Sequence, residues 1–237
     1  MDRILKYGLM LIVLSLSACN GQISNPITSE HRARAEETFN ATTFTTSLEQ
    51  ILLWHQTNNT EVVSALNPGI DEAALREKFA DLSCRPPEEL IELWAWHNGV
   101  NDSAHPFIWY HNFLSVEAAI AEYESLMANP LIGWPADWIP IFEFEGEWYF
   151  VECYEEPRKA SPVGYFFLED PDAIYAYVNL TKMLETSAIW FNQSAVIWDN
   201  DQQGMNEDLK ALFEIHQALN EGARFPYSVS QTYPAAE

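Results

Sequence analysis

The hydrophobic residues of this chain change their spacing near residue 138, and no other feature constrains its fold more. Before that point apolar residues recur at helical spacing, whereas after it aromatic and β-branched residues form runs typical of strands. The strand-like runs are 139–144, 148–154, 163–168 and 174–178. Glu145-Gly146 joins the first two as a hairpin turn, and helical spacing returns at 181–191 and 207–221. Helices, an antiparallel meander and further helices predict an α+β fold rather than alternating βαβ units.

Start and stop signals place the predicted helices along the chain. Ser47-Leu48-Glu49-Gln50 is a capping-box pattern, which predicts that the globular part opens with a helix at Ser47. Residues 89–97 form a helix that is apolar nearly all round, and Asn98-Gly99 stops it. Such a helix is expected at the centre of the core. The predicted N-terminal caps of three further helices are Asp71, Ser115 and Asn206.

Residues 1–19 resemble the export signal of a bacterial lipoprotein. Arg3 and Lys6 give a positive start, and residues 8–14 form an apolar run too short to cross a bilayer as a permanent helix. Leu16-Ser17-Ala18-Cys19 is similar to the lipobox, in which the cysteine thiol accepts a diacylglycerol and becomes the new N-terminus. The alternative is an ordinary secretory signal with a chance cysteine.

This resemblance sets off a signal peptide, 1–18. The polar residues that follow predict a flexible tether, 19–46, which starts at the lipid-anchored Cys19; a helical turn around residues 30–39 is the alternative for part of it. Asn20, rather than Asp, follows the cysteine, which implies the outer membrane of the bacterial envelope, with the domain facing the periplasm. No second hydrophobic stretch approaches transmembrane length, so the lipid would be the only membrane anchor.

The charge balance narrows the choice of partners. The chain of 237 residues carries 35 Asp and Glu against 12 Lys and Arg, a formal net charge of −23. Nucleic-acid binding needs cations that displace counterions from phosphates, so we expect no nucleic-acid partner. The charge favours a basic protein partner, or simply a soluble, self-repelling surface.

The cysteines and histidines suggest neither a cofactor nor a metal site. Without Cys19, the thiols are Cys84 and Cys153; export permits a disulfide between them, but both lie in apolar contexts where free cysteines are common. His105 and His111 share one predicted loop with Asp102, although they lack the spacing of typical zinc ligands. We expect no metal and no cofactor.

Several stretches together resemble a known family. They are 70–79, 85–99 ending in Asn98-Gly99, Trp138-Ile139-Pro140-Ile141-Phe142, 146–151, and Asn179-Leu180-Thr181-Lys182-Met183-Leu184. In this order and spacing they are similar to the SMI1/KNR4 family, also called the SUKH superfamily. The resemblance covers about residues 47–191.

The resemblance implies a single α+β domain, 47–199, with helices packed on a mostly antiparallel mixed sheet. An acidic C-terminal extension with one helix, 200–237, lies outside it. The resemblance also implies binding rather than catalysis, since many bacterial members resemble immunity proteins that neutralise toxins, and fungal members resemble regulators of cell-wall synthesis. The lipobox puts a nuclease toxin in doubt and favours a toxin that acts on the envelope.

Acidic and aromatic residues near the predicted hairpin are the candidate partner-binding residues. They are Glu143, Glu145, Glu147, Glu155 and Glu156, with Trp109 and Tyr110 from a predicted loop. Acids that alternate with aromatics are typical of a solvated sheet face. They also suit a docking surface for a basic protein, such as a toxin domain, with aromatic hot spots.

Two other functions remain open at this point. An envelope housekeeping or cell-wall regulatory protein would bind a wall component, for which Trp109 and Trp134 are candidate sugar-stacking residues. A hydrolase would use a carboxylate pair such as Glu143 and Glu147. No Gly-x-Ser-x-Gly elbow and no glycine-rich phosphate loop occurs, so we expect a binding protein rather than an enzyme.

Overall fold

The computed structural model describes residues 23, 25–80, 82, 85–101, 106–201 and 204–227, so the predicted signal peptide and Cys19 lie outside it. The helices are α1 Ser29–Thr38, α2 Ala41–Asn58, α3 Thr60–Ala65, α4 Glu72–Lys78, α5 Glu88–Trp96, α6 Val116–Ala128, α7 Leu180–Asn192 and α8 Leu209–Leu219. The strands are β1 Leu66–Pro68, β2 His97–Val100, β3 Asn112–Phe113, β4 Trp138–Phe144, β5 Glu147–Glu152, β6 Val163–Phe167, β7 Asp170–Tyr177, β8 Val196–Asp199 and β9 Gly204–Glu207.

A five-stranded sheet in the order β3-β4-β5-β6-β7 forms the centre of the fold. All strand pairs in the described residues are antiparallel, so the α+β class is confirmed and the sheet is antiparallel rather than mixed. The predicted hairpin turn is also confirmed, because Glu145 has φ 44° and Gly146 has φ 93°. Positive φ at both central positions is the geometry that matches the twist of two-residue hairpins.

Apolar clusters bury both faces of the sheet. Tyr149 and Val151 belong to a large cluster with residues of α2, α5 and α7, whereas Trp148 and Phe150 belong to a second cluster with Trp134. The expectation of a solvated sheet face is therefore wrong for β5. Residues 25–27 and the connection between α6 and β4 cover the second face, and this cover is not visible in the local sequence pattern.

Caps explain where several helices begin. Asp71 accepts hydrogen bonds from Ala73 N and Ala74 N, and Ser115 accepts one from Ala118 N, as predicted. The other two predicted starts are wrong. The helix that contains Ser47 begins six residues earlier, at Ala41, where the Asn40 side chain accepts from Thr43 N. Asn206 lies in β9, and Asp208 caps the C-terminal helix at Leu209.

The predicted flexible tether is wrong for its described part. Helix α1 packs onto the domain, where Ile27 and Ala35 are buried. Arg32 makes a bidentate contact with the buried Glu152, with Nε–Oε2 at 2.6 Å and Nη2–Oε1 at 2.7 Å. These contacts order the segment, because they compensate a carboxylate that is removed from water.

Helix α5 lies in the core, as its sequence predicts, and it carries a buried acid. Leu90, Ile91, Leu93 and Trp94 are fully buried, and so is Glu89. The Glu89 carboxylate accepts hydrogen bonds from the backbone N–H groups of Ser161, Leu180 and Thr181. Glu89 therefore satisfies donors at the start of α7 and joins two helices of the core.

Cys153 is disulfide-bonded, and its neighbour Tyr154 forms a β-bridge with Arg85. Arg85 N donates to Tyr154 O at 2.7 Å, and Tyr154 N donates to Arg85 O at 2.9 Å. Cys84 and Cys19 lie outside the described residues. Among the described helices, none is long and apolar enough to cross a membrane.

Candidate protein-binding surface

The predicted partner-binding acids lie at two opposite ends of the sheet. Strand β5 begins at Glu147, beside the turn that holds Glu145, and ends at Glu152, shortly before Glu155 and Glu156. At about 3.3 Å per residue, the strand separates the two groups by roughly 17 Å. The five acids therefore do not form one surface, and each end has to be considered by itself.

The hairpin end carries exposed acids together with an exposed leucine. The turn between β6 and β7 lies beside the β4–β5 turn, because Leu168 N donates to Gly146 O at 2.9 Å. Glu145, Leu168, Glu169 and Asp170 are exposed there, and Leu168 leaves 47% of its surface in contact with solvent. These four residues are called the hairpin-tip surface below.

Three of these residues, Leu168, Glu169 and Asp170, were not predicted as site residues. The order of the predicted strands in the meander could have identified them. In an antiparallel meander alternate turns lie at the same end of the sheet, so the first and third turns of the predicted strands are neighbours. Glu143 and Glu147 flank the hairpin-tip surface but are only partly exposed.

The charge of the molecule differs between the two ends. No Lys or Arg occurs between Arg85 and Arg158, an interval that contains 14 Asp and Glu. The opposite end of the sheet holds four cations: Arg32 on Glu152, Arg85 on Tyr154, Arg158 over the Tyr154 ring and the adjacent Lys159. Glu155 and Glu156 therefore lie beside cations, whereas no Lys or Arg occurs within eight residues of any hairpin-tip residue in the sequence.

The two predicted aromatic contact residues are largely internal. Trp109 is 3% exposed and packs edge-on against Tyr227, with ring centroids 4.3 Å apart. The Tyr110 hydroxyl donates to Glu207 Oε2 at 2.5 Å, and burial, followed by the contact with Glu207, raises the pKa of Tyr110. The expectation that this pair contacts a partner directly is wrong for Trp109. Both residues instead join the sheet to the β8–β9 hairpin and the C-terminal segment.

Glu147 is also engaged inside the molecule. Its Oε2 lies 3.5 Å from His111 Nε2 and accepts a hydrogen bond from the Tyr227 hydroxyl at 3.1 Å. Burial acts to raise the pKa of Glu147, but His111, Tyr165 and Tyr227 outweigh it and leave the pKa below its ordinary value. Glu147 therefore links β5 to His111 and to the C-terminal Tyr227 instead of facing a partner.

Comparison with protein families agrees with this architecture. The model of the SMI1/KNR4 family (SUKH-1) matches residues 69–186. This chain contains an SMI1/KNR4 (SUKH-1) domain. The SUKH match spans α4 to the first half of α7 and includes β2 to β7, so the hairpin-tip surface lies within it. Helices α1–α3 and the β8–β9–α8 segment lie outside the match. A comparison with curated proteins found no significant match.

The SUKH assignment is consistent with a protein-binding role of the immunity type, and the family is generally non-enzymatic. The positions of the predicted carboxylate pair, Glu143 and Glu147, also argue against hydrolysis by these two residues. Glu143 lies opposite Trp148 on one face of the sheet, whereas Glu147 lies opposite Phe144 on the other. Side chains that alternate across a sheet cannot converge on one bond, so Glu143 and Glu147 do not form a catalytic pair.

The remaining predicted residues give no metal or sugar site in the described chain. His111 is buried beside Glu147, while Asp102 and His105 lie outside the described residues. Within the described ranges, no group of three His, Cys, Asp or Glu side chains is placed to hold a metal ion. Trp134, like Trp109, is almost fully buried, so neither ring offers a face to a sugar.

Proposed function

We propose that this SUKH-domain protein is a protein-binding module of the bacterial envelope and that it neutralises a basic toxin domain as an immunity protein does. Cys19 carries the lipid anchor in this proposal, and Asn20 places the protein in the outer membrane, facing the periplasm. The family supports a binding role of this type. The disulfide of Cys153 supports export, because disulfides persist in oxidising compartments.

The observation that carries the proposal is the hairpin-tip surface. Glu145, Glu169 and Asp170 are exposed at the end of the sheet that lacks the four cations found at the other end. Such a field attracts a basic partner and raises its association rate more than its final affinity. Leu168 supplies an apolar contact at the centre of the acids. The partner is occluded when this surface covers its active groups.

Affinity capture from the native envelope, followed by mass spectrometry, tests the proposal. The expected result is a basic, toxin-like protein that is recovered in stoichiometric amount. Its binding should weaken at least about tenfold, or 1.4 kcal/mol, in the Glu145→Lys/Glu169→Lys variant, since two attractive contacts become repulsive. The Glu155→Lys/Glu156→Lys variant has the same charge change at the other end and should bind almost normally.

Two results would contradict the proposal. Equal weakening by the two double variants would remove the role of the hairpin-tip surface. Recovery of wall enzymes or glycan, with no basic protein, would favour the envelope housekeeping function. Separately, Cys19→Ala should release the protein from the membrane fraction, and persistent membrane association of that variant would defeat the lipid anchor.

A further inference from the structure

The last turn of α6 and most of the connection to β4 are unusually apolar for this chain. Residues 125–136 contain no charged side chain, although the whole protein has a net charge of −23. Leu131 leaves 80% of its surface exposed, and Met127 leaves 41% exposed. Leu126 and Trp134 on either side are buried and fix the connection to the second apolar cluster. The exposed side chains of Met127 and Leu131 are thus held in place by buried neighbours.

This uncharged segment joins β4 at the end of the sheet opposite the hairpin-tip surface. Asp137 links it to Trp138, the first residue of β4, which lies opposite Glu152, the last residue of β5. The Trp134 indole N–H donates to Trp138 O at 2.9 Å and holds the connection against the strand. The C-terminal side of this segment is therefore fixed at the end of the sheet that holds Glu152.

The N-terminal segment enters the domain at the same place. Asn25 Nδ2 donates to Glu152 Oε1 at 2.8 Å, and Ile23 packs against the apolar cluster that also receives Ile132. Four residue steps separate Ile23 from Cys19, and a chain of that length spans at most about 14 Å. A lipid on Cys19 would therefore hold the bilayer surface close to the uncharged segment.

We propose that Met127 and Leu131 contact the lipid bilayer to which Cys19 is anchored. This inference rests on the lipid anchor of the proposed function. Contact with acyl chains removes apolar surface from water, and no charged side chain of residues 125–136 has to be desolvated for it. The domain then stands on the membrane with a defined orientation, and the hairpin-tip surface faces away from the lipid.

The distribution of charge supports this orientation. Arg32, Arg85, Arg158 and Lys159 lie at the anchored end, so the acids of that end have cations beside them. Anionic headgroups repel acidic surfaces over a distance comparable to the Debye length, about 8 Å at physiological salt. The acids of the hairpin-tip surface lie farther than this from the anchored end.

A pair of exposed leucines allows a matched test. The full chain is expressed with its own signal segment and either Leu131→Cys or Leu168→Cys, and is labelled there with an environment-sensitive dye. It is then reconstituted in phosphatidylethanolamine–phosphatidylglycerol vesicles, and flotation reports anchoring. We expect a blue shift at position 131, with quenching by spin-labelled lipids, and no change at position 168.

The outcomes separate this inference from the anchor on which it rests. A chain that floats with the vesicles but shows no shift at position 131 would overturn the membrane contact and leave the lipid anchor intact. Equal shifts at both positions would overturn the orientation. A chain that does not float would overturn the anchor and, with it, this inference.

Discussion

Glu89 places a carboxylate in the core, where every partner is a hydrogen-bond donor. Burial raises the pKa of Glu89 from 4.5 to about 8, although the backbone N–H groups of Ser161, Leu180 and Thr181 act in the opposite direction. The folded state therefore binds a proton that the unfolded state releases between these two values. This contribution to the free energy of unfolding is fully present below pH 4.5 and is lost as the pH rises through 8.

The Glu89→Gln variant tests this residue. The amide resembles the protonated carboxyl group, because it keeps one oxygen for Ser161 and Leu180 and carries hydrogen on the side that faces Thr181. We therefore expect little change in the free energy of unfolding at about pH 5, where the wild-type carboxyl is protonated. Urea denaturation at several pH values should also show that the wild type loses more stability than the variant between about pH 5.5 and 8. Identical pH dependences would contradict the raised pKa.

Cys84 is the expected partner of Cys153, because it precedes Arg85, which forms the β-bridge with the neighbour of Cys153. Cys84→Ser should expose one free thiol in denaturant without reductant and lower the stability by about 2–4 kcal/mol. Cys19→Ser, as the control, should expose none. A free thiol in the Cys19 variant instead would mean that Cys153 pairs with Cys19.

At the scale of elements, one of the contacts that dock α1 is the ion pair between Arg32 and the buried Glu152. Arg32→Ala removes the partner of the buried Glu152 and should destabilise the protein by about 2–4 kcal/mol, with faster hydrogen exchange over α1. Arg34→Ala is the matched control. Arg34 pairs with the largely exposed Glu221, so its loss should cost less than about 1 kcal/mol. Equal losses would show that Glu152 does not depend on Arg32.

Local patterns predicted the elements that carry their own signals. The hairpin turn needs positive φ at Glu145 and Gly146, and the caps Asp71 and Ser115 bond to their own helices, so neighbours in sequence determine them. The docking of α1 onto the domain could not be predicted in this way. The sequence of this helix is polar, and it is held by contacts such as Arg32–Glu152, which lie 120 positions apart.

In the candidate site, too, features set by neighbouring residues were predicted and features set by distant contacts were not. Glu145 was correctly placed at a turn, because a hairpin exposes its turn residues. Trp109 was wrongly expected on the surface, since its burial depends on Tyr227, which follows it by more than a hundred residues. Glu155 and Glu156 looked equivalent to Glu145 in the sequence, and only the distribution of cations around the sheet distinguishes them.

For the whole molecule, the sheet separates two ends with different chemistry. The hairpin-tip surface gathers exposed acids, whereas the opposite end holds cations, the entry of the N-terminal segment and the point where residues 125–136 join β4. Acids that lie close together repel one another and destabilise the folded state. A surface that keeps such acids without neighbouring cations is better suited to a basic partner than to stability.

This trade between stability and binding can be measured without a partner. Glu145→Gln/Glu169→Gln should raise the free energy of unfolding by about 0.2–1 kcal/mol at low salt, because it removes like charges from the hairpin-tip surface. The gain should vanish in about 1 M NaCl, where the Debye length falls to about 3 Å. Glu155→Gln/Glu156→Gln removes the same charge beside Arg158 and Lys159 and should give no gain. Equal gains in the two variants would mean that repulsion among the acids is the same at both ends of the sheet. The charge distribution would then no longer favour the hairpin-tip surface as the binding site.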